Sequence, residues 1–117
     1  MKMSSRAIND TLLIALEEER LDASVAIQFK DRMREMTGAS SGRVILDLSR
    51  VGFMDSSGLG AVVAAMKQLG AGRKIELAGL NETVRKVFRL TRMDTVFRIY
   101  DTVEMATGMA ARDSHAT

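Results

Sequence analysis

The feature that most constrains the fold of this chain is a series of short, nearly continuous apolar runs rich in branched residues. These runs occupy residues 12–16, 44–48 and 75–78. Runs of this length, bounded by polar residues or glycine, are typical of strands buried on both faces. Asn9 and Asp10 suit a tight turn, which predicts that residues 4–8 form an edge strand paired with the first run in a hairpin. A further short strand is predicted near residues 96–100.

Helical patterns separate these strands. Asp22 is predicted to cap the first helix, Asn81 the third and Asp101 the last, because short polar side chains accept hydrogen bonds from free amides at a helix start. Gly38 and Gly70 are predicted to end the first and second helices. Apolar residues at three- and four-residue spacing mark the inward faces. In chain order these are Ala26, Phe29, Met33 and Met36; Leu59, Val62, Val63, Met66 and Leu69; Val84, Val87, Phe88 and Thr91; and Val103, Ala106 and Met109 or Ala110.

The alternation of strands and helices with short connections favours a mostly parallel sheet with helices packed on it. We therefore predict an α/β fold with a mixed, mostly parallel sheet of about five strands, about four helices and an N-terminal β-hairpin. The length of 117 residues suits one domain with a single core. That domain is predicted to span residues 1–110, with residues 111–117 as a frayed tail.

Missing residue types exclude several kinds of chemistry. The chain has no cysteine, so it has no disulfide, no zinc–thiolate site and no cysteine nucleophile. The single histidine, His115, lies in the polar C-terminal stretch, where no firmly held imidazole for a triad or metal centre is expected. We therefore predict no catalytic residue, no metal site, no cofactor and no enzymatic activity.

Hydropathy and charge bear on location and partners. No apolar run of about 18 residues could span a membrane, and residues 1–10 lack the apolar segment of a secretory signal, which predicts a cytoplasmic protein. The formal charge is only +2. A solvated helix face accounts for the basic cluster, so no direct binding to nucleic acid is predicted. That cluster, interrupted by Asp94, consists of Arg85, Lys86, Arg89, Arg92 and Arg98.

The most informative segment is residues 53–60, which follow a predicted strand and open the second helix. The Asp-Ser-Ser string that begins at Asp55 is first of all a helix cap, since an aspartate or serine oxygen accepts the free amide hydrogens of the first turn. This role accounts for Asp55 and one of the serines. Gly58 and Gly60 need a further explanation, because each glycine in a helix costs about 1 kcal/mol relative to alanine. Glycine at such positions permits close approach by another backbone or a ligand.

The helix that follows is unusual because residues 57–66 carry no charge. A surface helix normally shows a charged face opposite its apolar stripe. Either the third helix covers the far side, or that side is a flat patch of small residues that meets a partner. The sequence leaves both alternatives open.

A serine hydroxyl at a helix start has two chemical uses. It serves as a nucleophile in the Gly-x-Ser-x-Gly elbow of hydrolases, but this chain lacks the first glycine of that pattern and has no placed histidine. It can also be phosphorylated, which adds about −1.5 to −2 charges at pH 7. The helix dipole and the free amides accommodate that charge. The protein would then stay folded while its exposed face becomes anionic, as a binding switch requires.

The chain resembles the STAS domains of bacterial anti-anti-sigma factors, which are anti-sigma factor antagonists. The resemblance runs from about Leu12 to Ala106 and is strongest over residues 44–60, which contain the Asp-Ser-Ser-Gly-Leu string. Residues 20–23, 75–85 and 90–97 support it. It implies the STAS fold, which agrees with the order of elements predicted above.

The resemblance also implies a phosphorylation-controlled partner switch in transcription regulation. Ser57 would be the phosphorylation site. The unphosphorylated protein would bind an anti-sigma factor that is also a serine-protein kinase and so release a sigma factor. The kinase would use ATP to phosphorylate Ser57 and weaken the complex, and a phosphatase would restore it. The residues implied in partner binding are Asp22, Asp55, Ser56, Gly58, Leu59 and Gly60.

One departure concerns the partner. Members of the family often have glycine before the Arg-Leu-Asp string, where this chain has Glu19 at the end of an acidic run. The same domain type also serves as a constitutive subunit of larger signalling or lipid-transport complexes, and this is the alternative function. A serine hydrolase is a third hypothesis, against which the lack of a placed histidine argues.

Overall fold

The computed structural model describes residues 1–70 and 72–108. The helix residues predicted at Met109 or Ala110, the predicted tail and His115 lie outside this part. The strands are β1 (Met3–Ile8), β2 (Thr11–Leu16), β3 (Arg20–Leu21), β4 (Arg43–Asp47), β5 (Phe53–Met54), β6 (Ile75–Ala78) and β7 (Ile99–Tyr100). The helices are α1 (Ala26–Thr37), α2 (Ser56–Gln68), α3 (Glu82–Leu90) and α4 (Val103–Thr107), with a 3₁₀ turn at Met93–Thr95.

The main sheet has five strands in the order β1-β2-β4-β6-β7. β1 pairs with β2 in an antiparallel hairpin whose turn holds Asn9 at a φ of 55°, and the other pairings are parallel. The predicted mixed sheet, hairpin and four helices are thus confirmed. β3 and β5, a separate parallel pair of two residues each, were not predicted from the sequence.

Alternation along the strands divides the core between the two faces of the sheet. On one face, Ile14, Leu46 and Leu77 lie side by side in register and are fully buried with residues of α1, α2 and α3. On the other face, Leu13 and Ile45 pack in a smaller cluster with Ala106 of α4. None of the described helices is long and apolar enough to cross a membrane.

Two of the predicted caps are wrong. α1 begins only at Ala26, and its N-cap residue Val25 forms no side-chain hydrogen bond. The Asp22 carboxylate is used earlier, in a turn, where it accepts hydrogen bonds from the amide and the hydroxyl of Ser24 at 3.1 and 2.6 Å. Short polar side chains form such local turns as readily as helix caps.

At α4 the cap is Thr102, whose hydroxyl accepts the amide hydrogen of Met105 at 3.0 Å. The predicted cap, Asp101, instead pairs with Arg85 at 3.0 Å. Asn81 does cap α3, where its side chain accepts from the amide of Val84 at 2.9 Å. Thr91, predicted to face inward, follows the end of α3 and is exposed.

The buried stripe of α2 differs from the predicted one. Of the predicted inward residues only Val62 is fully buried, and it shares the stripe with smaller residues. Those are Gly58, Ala61 and Ala65, whereas Leu59, Val63, Met66 and Leu69 are half-buried at its sides. Small residues let neighbouring elements approach α2 closely. The helix packed along α2 is α1, not α3, and Ser57 and Gly60 stay exposed.

Candidate functional site

The start of α2 is fixed by the carboxylate of Asp55. One oxygen accepts the amide hydrogen of Gly58 at 2.9 Å, as an N-cap does. The other oxygen accepts the amide hydrogen of Ala23 at 3.2 Å. The carboxylate therefore ties the first turn of α2 to the loop after β3, and the predicted cap role of Asp55 is confirmed.

Gly58 is buried at the closest approach between α2 and β3. A Cβ atom at this position would lie 2.0 Å from the carbonyl oxygen of Leu21. The pairing of β3 with β5, which sets Leu21 beside Met54, holds the two segments together. The predicted close approach of another backbone is therefore found at Gly58.

Gly60 differs from Gly58 in its surroundings. It is exposed, and a Cβ atom there would have no heavy atom within 4 Å among the described residues. The fold of the described chain therefore does not require glycine at this position.

Ser56 and Ser57 are the first two residues of α2, and both are exposed. Neither hydroxyl takes part in a side-chain hydrogen bond within residues 1–70 and 72–108. Both therefore face solvent at the positive end of the helix dipole. This geometry leaves either hydroxyl accessible to a kinase, and within the described chain no base contacts them as a hydrolase would need.

Asp22 lies in the turn that approaches Asp55. Its pKa is lowered, first because the Ser24 hydroxyl donates a hydrogen bond to the carboxylate and next because Arg20 does so at 3.1 Å. Since the amide of Ala23 bonds to Asp55, the structure brings the Asp22 turn against the start of α2. The two segments carrying the predicted partner-binding residues therefore form one surface.

Two residues of this surface were not singled out from the sequence. The guanidinium of Arg20 lies 4.3 Å from the centre of the Phe53 ring, and Phe53 is 39% exposed. Register in the β3–β5 pair places them side by side. A two-residue pairing leaves no periodic signal in a sequence, so this cation–π contact could not have been predicted.

The acidic run lies beside the same surface. Glu17, Glu18 and Glu19 line an open pocket together with Asp22 and Ser24. The carbonyl of Glu19 accepts the amides of Gly52 and Phe53 at 2.8 and 3.2 Å. This is a main-chain role that any residue type can fill, so the departure from glycine affects the surface charge and leaves the backbone contacts in place.

A separate groove lies between α1 and α2 and reaches Ala64, four residues after Gly60. Ile27 is 69% exposed there and lies across from Ala64. Charged and polar residues surround this apolar floor, namely Lys30, Asp31, Arg34, Lys67 and Gln68. An apolar centre with a polar rim is the usual composition of a protein–protein contact.

The STAS-domain family profile matches residues 2–106. The chain belongs to the STAS family. A candidate anti-sigma factor antagonist of Thermotoga maritima is 32% identical to this STAS protein over 101 residues, which cover 85% of this chain and 89% of that one. The anti-sigma-B factor antagonist of Listeria monocytogenes is 32% identical over 81 residues, which cover 68% and 70% of the two chains.

Solved STAS structures agree with the fold described above. The anti-sigma factor antagonist SpoIIAA in its unphosphorylated form has a TM-score of 0.70 and 28% identity, with 90% of this chain and 92% of that one covered. The phosphorylated form of SpoIIAA, a Bacillus cell fate determinant, has a TM-score of 0.64 and 28% identity, with 93% and 99% covered. The predicted STAS fold is thereby confirmed.

Proposed function

We propose that this STAS protein is an anti-sigma factor antagonist regulated by phosphorylation of Ser57. The unphosphorylated protein binds an anti-sigma factor that is also a serine-protein kinase and thereby frees a sigma factor. Phosphorylation of Ser57 by this kinase weakens the complex, and a phosphatase restores it. The names of the relatives support antagonism of an anti-sigma factor, and the phosphorylated form of SpoIIAA supports the modification.

The observation that carries the proposal is the exposed Ser57 in a first turn that other groups already hold in place. Asp55 caps the helix, and Gly58 packs the first turn closely against Leu21. Among the described residues, the Ser57 hydroxyl is therefore not needed to hold this turn in place. The negative charge of a phosphoryl group at Ser57 is stabilised by the positive end of the helix dipole. Modification therefore changes the surface and leaves the fold intact.

The expected effect of the phosphoryl group is electrostatic and steric. The first residues of α2 after Asp55 are uncharged, while Asp22 and the acidic run lie nearby. Adding about −1.5 to −2 charges to this surface makes it strongly anionic and raises the cost of burying it against a partner. Ser56, Leu59 and Gly60 would contact the partner directly, and Asp22 would contribute a charge at the rim.

The modification is tested by incubating the purified protein with ATP and an extract of the source cells, followed by mass spectrometry. The wild type and the matched control Ser56→Ala should gain one phosphoryl group at residue 57, and Ser57→Ala should gain none. A phosphoryl group that persists in Ser57→Ala would contradict the assignment of the site.

The switch is tested by comparing Ser57→Glu with Ser57→Ala as baits in quantitative pull-downs. An anti-sigma kinase should be retained by Ser57→Ala and recovered at least about tenfold less with Ser57→Glu, which corresponds to about 1.4 kcal/mol. The melting temperatures of the two variants should agree closely, because the Ser57 side chain is exposed. Equal recovery of one set of partners by both baits would instead indicate a constitutive STAS subunit of a larger complex.

A further inference from the structure

A second surface lies at the opposite edge of the molecule from the hairpin, along β7. β7 is the last strand of the order β1-β2-β4-β6-β7, so no strand of the described chain pairs with its outer side. A pocket of about 330 Å³ opens there between α3 and β7. Its lining residues are Arg85, Arg89, Asp94, Phe97, Arg98 and Ile99, none of which belongs to the surface around Ser57.

The main chain of Ile99 faces this pocket. The carbonyls of Arg98 and Tyr100 accept hydrogen bonds from Leu77 and Gly79 of the β6 segment, at 2.9 and 3.2 Å. Successive residues of a strand direct their main-chain groups to opposite sides in the plane of the sheet. The N–H and C=O of Ile99 therefore point away from β6, toward the open edge, where a further strand could pair with them.

Cationic side chains flank this edge on both faces of the sheet. Arg85 and Arg89 come from α3, which packs on one face. The guanidinium of Arg98 lies on the other face, 5.1 Å from the centre of the Tyr100 ring. Of the acidic groups nearby, Asp94 lines the pocket and Asp101 pairs with Arg85 at 3.0 Å. Glu76 also interacts with Arg98, but its charge is matched by Arg43 at 2.6 Å. Three arginines against two aspartates therefore leave a net positive charge.

The floor of the pocket is apolar. Phe97 is 2% exposed and packs edge-on against Phe88, with 5.8 Å between the ring centres. Beside it, the side chain of Ile99 is half-buried. A strand laid along this edge would thus find an apolar contact below it and positive charge on either side.

We propose that the β7 edge binds an extended acidic segment of a partner protein by strand addition. In this mode the partner's main chain pairs with Ile99. Successive residues of the added strand point to opposite faces, so its carboxylates meet Arg85 and Arg89 on one face and Arg98 on the other. The basic cluster of the sequence then has a binding role beyond that of a solvated helix face. This surface is separate from the switch at Ser57, so its test is independent of the proposed function.

The test is an NMR titration of the ¹⁵N-labelled full chain with the capped hexapeptide Glu-Val-Asp-Asp-Val-Glu at low salt. The amide signals of residues 85, 89, 98 and 99 should shift together, and hydrogen exchange of the Ile99 amide should slow. Arg89→Glu should weaken binding at least about fivefold. The matched control Arg6→Glu makes the same charge change on the exposed outer strand β1 and should leave binding nearly unchanged.

A second probe separates strand addition from simple charge attraction. The same peptide, N-methylated at every backbone nitrogen, keeps its carboxylates but cannot pair along a strand, so it should bind at least about fivefold more weakly. Equal binding of both peptides would overturn the proposal. So would tighter binding of oligouridylate at the same residues, or self-association of the free chain that Arg89→Glu abolishes, because these would assign the edge to RNA or to a second copy.

Discussion

Gly58 and Gly60 are two residues apart in one helix turn, yet the structure gives them different reasons to be glycine. At Gly58 a side chain would collide with the carbonyl oxygen of Leu21. At Gly60 a side chain would meet no neighbour within the described chain and would point to solvent. Glycine at position 60 therefore lowers the stability of α2, and no contact within the described residues requires it. A role of Gly60 in binding a partner would explain it, and this can be tested.

The stability of single alanine variants should separate the two positions. Gly58→Ala should lower the free energy of unfolding by about 1–3 kcal/mol, because the added methyl group forces α2 away from β3. Gly60→Ala should raise it by about 0.5–1 kcal/mol, because alanine loses less backbone entropy in a helix. Urea denaturation followed by circular dichroism measures both values. The same sign of change in both variants would contradict the packing described here.

Gly60→Ala should also weaken binding of the anti-sigma partner while it stabilises the free protein. The methyl group would occupy the surface on which the partner is proposed to lie, and we expect a loss of about tenfold in affinity. Calorimetry or surface plasmon resonance measures this with the partner recovered by the Ser57→Ala bait. Gln28→Ala, at an exposed position on the side of α1 that borders Met1, raises helix propensity in the same direction and controls for the change in stability. Unchanged affinity of Gly60→Ala would place Gly60 outside the interface.

At the scale of elements, length decides what the sequence can predict. β2, β4 and β6 are four to six residues long and each contains several apolar, mostly branched residues, so the sequence pattern was enough to predict them. β3 and β5 have two residues each, too few for any periodicity. The Asp-Ser-Ser-Gly-Leu string located the start of α2, but the contact of Arg20 with Phe53 depends on a pairing that only the folded chain reveals.

Helix caps show a second limit of sequence analysis. Asp101 and Thr102 are adjacent and are both good capping residues, and the structure assigns the cap of α4 to Thr102. We expect Thr102→Ala to cost about 1 kcal/mol of stability. Asp101→Ala should cost only a few tenths, because its ion pair with Arg85 is exposed. Thermal denaturation of both variants checks this, and a greater loss for Asp101→Ala would restore the sequence-based prediction.

At the scale of the whole molecule, one polar cluster joins the far face of the sheet to α4. Arg43 on β4 donates to the Glu76 carboxylate on β6 at 2.6 and 3.1 Å. The hydroxyl of Tyr100 on β7 donates to the same carboxylate at 2.8 Å. Arg43 also donates to the carbonyl of Ala106 in α4 at 3.0 Å. Glu76 and Arg43 together therefore connect three neighbouring strands, β4, β6 and β7, and Arg43 adds the link to α4.

The charge of Glu76 should make this connection depend on pH. The pKa of Glu76 is lowered, chiefly by the hydrogen bonds from Arg43 and also by the one from Tyr100, while partial burial opposes the shift. Burial and the Glu76 charge raise the pKa of Tyr100, and the Glu76 hydrogen bond raises the pKa of Arg43, so both keep their protons at neutral pH. A lowered carboxyl pKa stabilises the fold above the ordinary value of 4.5, and this contribution is lost as the pH falls through the lowered pKa.

Glu76→Gln should therefore be less stable than the wild type at pH 7, by about 1 kcal/mol, because the charge-assisted hydrogen bonds become neutral ones. The difference should shrink below pH 4.5 and vanish once the wild-type carboxyl is protonated. Chemical denaturation between about pH 3 and pH 8 measures it, in a range where Tyr100 and Arg43 do not titrate. Glu35→Gln, on the exposed side of α1, removes the same charge without these contacts and should show little difference at any pH. If Glu76→Gln and Glu35→Gln change stability with the same pH profile, the loss of one negative charge alone explains the effect. The ionised Glu76 carboxylate would then make no specific contribution to holding the strands and α4 together.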